Sequence, residues 1–310
     1  MAFLNALPSA VAQGLIWGLV AIGIYISYKI LDIADLSVDG SFATGACICV
    51  VSIAGGVPVW LSVVLAFLAG ALAGAVTGLL HTLFNIPSIL AGILTQLGLY
   101  SINIQLIMGG RSNYPFSSIF YYTGNEFDPD SLLLGMSDKV ASIVVPLIFV
   151  AAIILLLRLF FYTEIGLTIK STGDNPAMSK AQGVNINLNK IIGLAISNGI
   201  VALAGSLLAQ YQGFADVSMG RGAIVIGLAA VIIGDVIFGK IFHNFALKLL
   251  SVVLGAVIYY VVYQLVIGLG MSGDDMKLIT ALIVAVFLAI PYWKGKYFSK
   301  PVKIGGNNHA

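Results

Sequence analysis

The sequence predicts an all-α integral membrane protein with about nine transmembrane helices. Of the 310 residues, 59% are hydrophobic and 9% are charged, and the mean hydropathy is +1.03. Soluble globular domains do not have this composition. Apolar stretches of about 20 residues, the length that crosses a bilayer, recur along the chain. They lack the alternation of β-strands, and lipid cannot satisfy an exposed backbone, so helices are predicted.

Hydropathy and turn residues place the individual spans within one transmembrane domain, residues 1–310. Pro58, Pro87 and Pro291 lie at predicted ends, where a missing N–H costs least. The predicted spans are residues 10–29, 38–54, 57–84, 87–107, 140–161, 191–211, 222–238, 247–268 and 277–292. The segments between them include an extracellular loop 108–139, a hydrophilic cytoplasmic loop 162–190 and a basic cytoplasmic tail 293–310.

The distribution of Lys and Arg sets the expected orientation. Most basic residues fall on one side if the 162–190 loop is cytoplasmic, as the positive-inside rule requires. The 109–138 loop instead carries Glu126, Asp128, Asp130 and Asp138 against a single Arg, as an exterior loop can. We therefore expect the N-terminus outside and the C-terminus in the cytoplasm, with the lysine- and aromatic-rich tail lying against anionic lipid headgroups.

A short internal repeat favours two related halves. Ala34-Asp35-Leu36-Ser37-Val38 matches Ala215-Asp216-Val217-Ser218-Met219 after a shift of 181 residues, and a small-residue-rich span follows each copy. An odd number of spans separates the copies, so the second is inverted, as in many transporters. Five matched positions are also compatible with chance.

The hydrophilic loop contains an expected turn and surface helix. Asp174 or Asn175 can cap a short helix that Pro176 opens, because side-chain oxygens cap helices and Pro fits the first position. Ala177 and Ala181 give that helix a small-residue face suited to a groove on another protein. Composition alone is more typical of an ordinary solvated loop. The candidate docking residues are Glu164, Gly166, Lys170, Gly173, Asp174, Asn175, Pro176, Ala177, Ala181 and Gly183.

Polar side chains within the apolar spans form a second candidate set. They are costly in lipid, so each needs a partner, a cavity or an interfacial position. They either line a polar path between the halves or, for the aspartates, stabilise helix N-termini, and the amides can equally bond helix to helix. The candidate path residues are Ser37, Asp39, Ser41, Gln96, Asn103, Gln105, Asn198 and Gln210.

Other sequence patterns argue against nucleotide binding, catalysis and metal binding by this chain. The segment from Gly234 to Lys240 has the spacing of a phosphate loop, but Ile241 stands where a magnesium-binding hydroxyl is required. We find no residue spacing typical of a metal site or a catalytic set. The net charge of +2 is too small to indicate nucleic-acid binding, and the sequence has no basic stripe. Cys47 and Cys49 are expected to be small apolar filler. Gly70, Gly74 and Gly78 predict close helix packing, within one subunit rather than between two.

The sequence resembles the ABC-importer permeases of the branched-chain amino-acid and ribose permease superfamily. The pattern Gly173-Asp174-Asn175-Pro176-Ala177 through Ala181 and Gly183 is similar to their coupling loop, and residues 32–46 and 79–109 resemble further segments. The resemblance runs from Gly14 to about Phe287. Within the superfamily, it is greatest to permeases paired with tryptophan- or tyrosine-type substrate-binding lipoproteins.

This resemblance implies a non-catalytic membrane subunit in the bacterial cytoplasmic membrane. It would dock separate ATP-binding subunits, which bind ATP and Mg²⁺, and would pair with a second copy and an extracellular or periplasmic substrate-binding protein. The chain itself would bind no cofactor. The implied cargo is a small organic solute, with an aromatic or other amino acid as candidate. The alternative is an ion-coupled secondary transporter, which inverted repeats and membrane aspartates would equally suit.

Overall fold

The computed structural model describes residues 2–107, 138–239 and 241–268, with isolated positions between 278 and 289. All regular structure in these ranges is helical, which confirms the predicted class. The elements are α1 (Ala2–Ile24) continued by a π-helical turn (Tyr25–Ile30), α2 (Val38–Ala54), α3 (Val59–Thr82), α4 (Ser88–Ile107), α5 (Asp138–Phe161), α6 (Glu164–Asp174), α7 (Pro176–Ala181), α8 (Ile186–Gln212), α9 (Ala223–Phe238) and α10 (Phe245–Gly268).

Helices occupy eight of the nine predicted spans. Six are long and apolar enough to cross a bilayer: α1 with its π-helical turn, α3, α4, α5, α8 and α10. The helices α2 and α9 are shorter, with 17 and 16 residues. The predicted span 277–292, the loop 108–137 and the tail 293–310 lie outside the continuously described residues. The count of nine therefore stays a prediction.

α8 is the central helix of the fold. Its side chains between Ser197 and Gln210 are all buried, and α1, α2 and α3 pack around it. α2 runs beside α8 in the same direction, as three contacts show: Ser41 with Asn198, Gly45 with Ala202, and Cys49 with Gln210. Aromatic stacking joins α1 to its neighbours, with Trp17 centred 5.1 Å from Phe42 and 5.9 Å from Tyr260.

The glycine stripe of α3 packs against α8, within one chain as predicted. A β-carbon at Gly78 would lie 2.8 Å from the Cα of Ile191, and one at Gly74 would overlap the Leu194 carbonyl. Small residues permit this approach of two helix backbones. The stripe therefore packs inside one chain, and α3 runs antiparallel to α8.

The short helices α2 and α9 start beside each other and run towards opposite ends of the molecule. Asp39 in the first turn of α2 contacts the backbone at the start of α9. α9 ends beside the π-helical turn, where Lys29 forms a 3.3 Å ion pair with Asp235. Two helix N-termini, each with partial positive charge, therefore meet near the middle of α8.

The hydrophilic segment 162–190 is more regular than a loop. The predicted short helix is α7, but α6 is also helical and α8 begins at Ile186 rather than at residue 191. The reason lies in local capping. The Thr163 side chain accepts from the Gly166 amide at 3.3 Å, and the Asn185 side chain accepts from the Leu188 amide at 3.2 Å.

Candidate functional site

α6 is fixed against three membrane helices. Gly166 packs on the end of α5 and Gly173 packs on the carbonyl of Ile30, the last residue of the π-helical turn. Thr172 is buried and accepts a 2.9 Å hydrogen bond from the side-chain amide of Asn189 on α8. Ile169 is fully buried. A displacement of α6 would therefore move the ends of α1, α5 and α8 that it contacts.

α7 is held to α6 by a few local contacts. The Asn175 side chain accepts from the Met178 amide at 3.0 Å and Pro176 occupies the first helical turn, as the sequence predicts for this position. Ser179 is buried and donates to the Ser171 hydroxyl at 3.2 Å. Gly183 follows the helix with φ of +81°, a left-handed conformation that favours glycine.

The outer side of α6 and α7 is exposed and partly apolar. We call it the α6–α7 surface and define it by its exposed residues. Ile165, Leu167 and Met178 are 52%, 55% and 58% exposed, although they are hydrophobic and lie outside the membrane-spanning helices. The remaining members are Glu164, Lys170, Asp174, Asn175, Pro176, Ala177, Lys180 and Ala181. Exposed apolar side chains with a polar surround are typical of a protein-binding surface.

A buried polar network joins α8 to the start of α2. Asp35 is 3% exposed, and its carboxyl accepts from the Ser37 amide at 2.8 Å and the Ser37 hydroxyl at 2.5 Å. Asn198 donates to the other Asp35 oxygen at 2.6 Å and accepts from Ser41 at 2.6 Å and from Ser37 at 3.2 Å. These partners explain how polar groups lie in an apolar core.

The repeated Asp-x-Ser sequence forms the same turn twice. Asp216 accepts from both the amide and the hydroxyl of Ser218, as Asp35 does from Ser37. Asp216 is exposed, in the 213–222 connection between α8 and α9. The Ser218 hydroxyl and then its amide hold the pKa of the Asp216 carboxyl below its ordinary value. The two copies therefore share local geometry but differ in burial.

Asp39 links the two short helices. One carboxylate oxygen accepts from the Gly222 amide and the other from the Ile224 amide, both at 3.0 Å. Acidic groups at a helix N-terminus satisfy unpaired N–H groups and favourably oppose the helix dipole. Asp39 thus stabilises the start of α9 from across the fold.

A cavity of about 420 Å³ adjoins Asp39. It lies between α2, α4 and the 213–222 connection. A neighbouring cavity of about 600 Å³ shares Tyr100, Val217 and Arg221 with it and continues to Asp216. We call the first the α2–α4 cavity; its lining residues are Asp39, Gly40, Ala43, Ile93, Gln96, Leu97, Tyr100, Asn103, Val217 and Arg221.

The predicted path residues do not all meet. Asp39, Gln96 and Asn103 line the α2–α4 cavity together. Gln105 is exposed on α4 and does not join them. Four others are fully buried in the contact between α2 and α8: Ser37, Ser41, Asn198 and Gln210. In this structure these four side chains make hydrogen bonds within and between the segments of that contact.

Two lining residues, Tyr100 and Arg221, were absent from the sequence prediction. The Arg221 guanidinium lies 6.0 Å from the centre of the Tyr100 ring. A basic residue between two apolar stretches was the available signal, but nothing in the sequence places it beside α4. Among the described residues, no group of three His, Cys, Asp or Glu side chains is arranged to hold a metal ion.

Comparison with known proteins gives one consistent family. The sequence profile of the family described as "Branched-chain amino acid transport system / permease component" matches residues 7–291. The tyrosine transport system permease protein of Clostridioides difficile (strain R20291) is 41% identical over 286 residues, covering 92% of this chain and 91% of that protein. The uncharacterized protein RP368 of Rickettsia prowazekii (strain Madrid E) is 31% identical over 294 residues, covering 92% of this chain and 98% of that protein.

More distant relatives cover less of the chain. The autoinducer 2 import system permease protein LsrC of Enterobacter sp. (strain 638) is 30% identical over 65% of this chain and 55% of its own length. A chain of the solved structure of PsaBC from Streptococcus pneumoniae in complex with Fab aligns over 85% of this chain, with a TM-score of 0.38 and 19% identity.

Proposed function

Because this chain belongs to the branched-chain amino acid transport system permease family, we propose that it is the membrane subunit of an ATP-driven importer. In this role the chain forms the passage for a small organic solute through the bacterial cytoplasmic membrane. Separate ATP-binding subunits hold ATP and Mg²⁺ and supply the energy. The chain itself contributes no catalytic residue.

The observation that carries this proposal is the α6–α7 surface. Its apolar members Ile165, Leu167 and Met178 are exposed on helices that lie beside the bundle rather than within it. A partner protein would cover these side chains and so remove apolar area from water, which favours binding. Lys170 and Lys180 lie beside them for charge pairing at the rim of such an interface. We assign the surface to contact with the ATP-binding subunits.

The contacts behind this surface provide the route for movement. Gly173 abuts the end of α1, Thr172 is hydrogen-bonded to α8, and Gly166 packs on α5. A packed contact of backbone on backbone transmits small shifts because protein interiors deform little. Closure of the ATP-binding subunits would therefore tilt three membrane helices together.

The family description and one relative favour an amino acid as solute. The C. difficile relative, at 41% identity, is named a tyrosine transport system permease. We propose an amino acid, with aromatic side chains as the first candidates. The solute would arrive on a substrate-binding protein at the face opposite the α6–α7 surface, and import is the proposed direction. A second permease copy completes the assembly, as the exposed faces of α3 and α4 allow.

Two features of the architecture belong to the same proposal. The twin Asp-x-Ser turns and the diverging helices α2 and α9 support an inverted internal repeat. A ninth helix at residues 277–292 would return the chain to the side of the α6–α7 surface. The N-terminus would then be outside and the C-terminus cytoplasmic.

An ion-coupled secondary transporter is the competing reading. It would require membrane aspartates that load and release cations during each cycle. Asp35 accepts three hydrogen bonds and Asp39 accepts two backbone hydrogen bonds at the start of α9. Both carboxyl groups thus have structural partners in the fold, which they would have to exchange for a cation in each cycle. This favours the ATP-driven mechanism, which needs no aspartate that loads and releases cations.

The proposal is tested by reconstituting the chain with its ATP-binding subunits and binding protein in proteoliposomes. Met178→Asp places a charge in the α6–α7 surface and should abolish co-purification and ATP-dependent amino acid uptake. His243→Asp is the matched control, because His243 is exposed on the same side but outside that surface. Uptake that continues without ATP, or that Met178→Asp leaves at the His243→Asp level, would refute the proposal.

A further inference from the structure

The lining of the α2–α4 cavity combines exposed and buried residues. Ile93, Leu97 and Tyr100 are exposed, whereas Gly40 and Asn103 are buried. Its volume of about 420 Å³ falls in the range of small-molecule sites, about 300–1,000 Å³. The adjoining cavity extends it to the 213–222 connection, at the end of the molecule opposite the α6–α7 surface. The cavity is therefore of small-molecule size and has an exposed side.

Asn103 has a side chain without a hydrogen-bond partner. It is 1% exposed, and within the described residues neither its amide nitrogen nor its amide oxygen is bonded. Such groups are uncommon, because burying an amide without a partner is costly. A ligand with one donor and one acceptor would satisfy both atoms. The unpaired Asn103 amide therefore indicates that a bound ligand supplies the hydrogen bonds that the protein does not.

The cavity lining also carries both signs of charge. Arg221 is exposed beside Tyr100 and forms no direct ion pair among the described residues, although it interacts electrostatically with the Asp216 carboxylate. Each oxygen of Asp39 accepts one backbone N–H and retains capacity for another donor. A guanidinium suits a carboxylate in two parallel hydrogen bonds, and a carboxylate suits an ammonium group. Together they fit a zwitterion.

We propose that the α2–α4 cavity binds a small α-amino acid within a single chain. The ligand's carboxylate accepts from Arg221 and from the Asn103 amide nitrogen, and its ammonium group faces Asp39 and the oxygens of the Gln96 and Asn103 amides. The side chain of the ligand lies along Tyr100 and Leu97, where an aromatic ring fits. This inference rests on the proposed function in one respect, that the transported solute is an amino acid.

The first test measures direct binding to the full-length chain in lipid nanodiscs by saturation-transfer NMR. The probe is L-tyrosine, with L-leucine and L-serine as alternative zwitterions. Tyramine lacks the carboxylate and para-hydroxyphenylpropionate lacks the amine, so each should bind at least about tenfold more weakly than L-tyrosine. Binding of neither L-tyrosine nor the other two amino acids would overturn the inference, as would equal binding of tyramine.

The second test uses matched variants. Arg221→Gln and Asn103→Leu should each weaken amino acid binding by about tenfold or more. Gln105→Leu is the control, because Gln105 lies two residues along the same helix but outside the cavity. Asn103→Leu should also leave the unfolding temperature of the ligand-free chain unchanged or raise it, since it removes an unsatisfied buried amide. A lowered unfolding temperature with unaltered binding would assign Asn103 a structural role and sink the site.

This outcome is separable from that of the proposed function. If Met178→Asp stops ATP-dependent uptake while Arg221→Gln and Asn103→Leu bind L-tyrosine like the wild type, the importer assignment stands and the cavity assignment falls. If the cavity variants lose binding but Met178→Asp transports normally, the cavity assignment stands and the importer assignment falls.

Discussion

Gly173 in α6 packs against the backbone carbonyl of Ile30 so closely that a β-carbon at position 173 would overlap it. Ile30 ends the π-helical turn that continues the first membrane span. The contact therefore connects a surface helix to the bundle through two backbones, without a flexible side chain between them. A connection of this kind follows small displacements faithfully.

We expect Gly173→Ala to uncouple ATP hydrolysis from uptake. The added methyl group must push α6 away from the π-helical turn, because its nearest neighbour is backbone rather than a movable side chain. The exposed residues of the α6–α7 surface are unchanged, so the ATP-binding subunits should still co-purify. Uptake per ATP hydrolysed should fall by about tenfold, the effect of about 1.4 kcal/mol. Gly98→Ala on α4 is the control, because no atom lies within 4 Å of its β-carbon position; equal coupling in both variants would contradict the role of this contact.

Asn175→Ala should loosen α7. The variant removes the acceptor for the Met178 amide, and loss of an N-terminal cap costs about 0.5–2 kcal/mol. Hydrogen exchange should accelerate at the Met178 amide, and partner binding should weaken in parallel. Asn175→Asp restores a capping oxygen and should restore slow exchange. If Asn175→Ala exchanges as slowly as the wild type, the cap does not hold α7.

Asp35→Asn should destabilise the chain more than Asp216→Asn, although both aspartates make the same turn. At position 35 the new amide group would replace an oxygen that accepts from Asn198, and would set two donors against each other in a buried site. Such a mismatch costs about 1–3 kcal/mol. At the exposed position 216 the change should stay within about 0.5 kcal/mol.

The two variants can be compared by thermal unfolding of the purified chain in detergent. The expected order is wild type and Asp216→Asn together, followed by Asp35→Asn at lower temperature. Equal unfolding temperatures for Asp35→Asn and Asp216→Asn would show that burial of the first turn does not matter.

Gly74→Ala should destabilise the packing of α3 on α8. A β-carbon there overlaps the Leu194 carbonyl, and overpacking of this kind costs about 1–3 kcal/mol. Gly98→Ala on α4 is the matched control, because no atom lies within 4 Å of its β-carbon position. The control should be neutral or more stable by up to about 1 kcal/mol, since Ala suits a helix better. Equal loss of stability in both would remove the case for close packing at Gly74.

Local features were predictable from the sequence. The membrane helices follow from hydropathy, and the start of α7 follows from Asn175-Pro176, because a cap and the first helical residue are decided by neighbours in the chain. The close packing of the α3 glycine stripe was also predictable, because glycines four residues apart lie on one face of a helix. α6 was taken for loop since its sequence is polar, although Thr163 provides a cap that can be recognised once it is sought.

Contacts between distant segments were not predictable. Asp39 binds the backbone of Gly222 and Ile224, and no pattern near Asp39 indicates which helix it will stabilise. The polar path was likewise predicted from residue type alone. Asn198 and Gln96 are both amides in apolar helices, yet the fold buries the first against α2 and turns the second into a cavity. Helix rotation decides this, and rotation depends on tertiary packing.

The most direct measurement is thiol labelling at position 178 in a chain whose buried Cys47 and Cys49 are replaced by Ala. A membrane-impermeant maleimide should label Met178→Cys only in permeabilised cells, and about tenfold more slowly once ATP-binding subunits are present. Ser218→Cys, at the other end of the molecule, should react in intact cells. Modification of Met178→Cys in intact cells, or an unchanged rate with the subunits bound, would contradict the account.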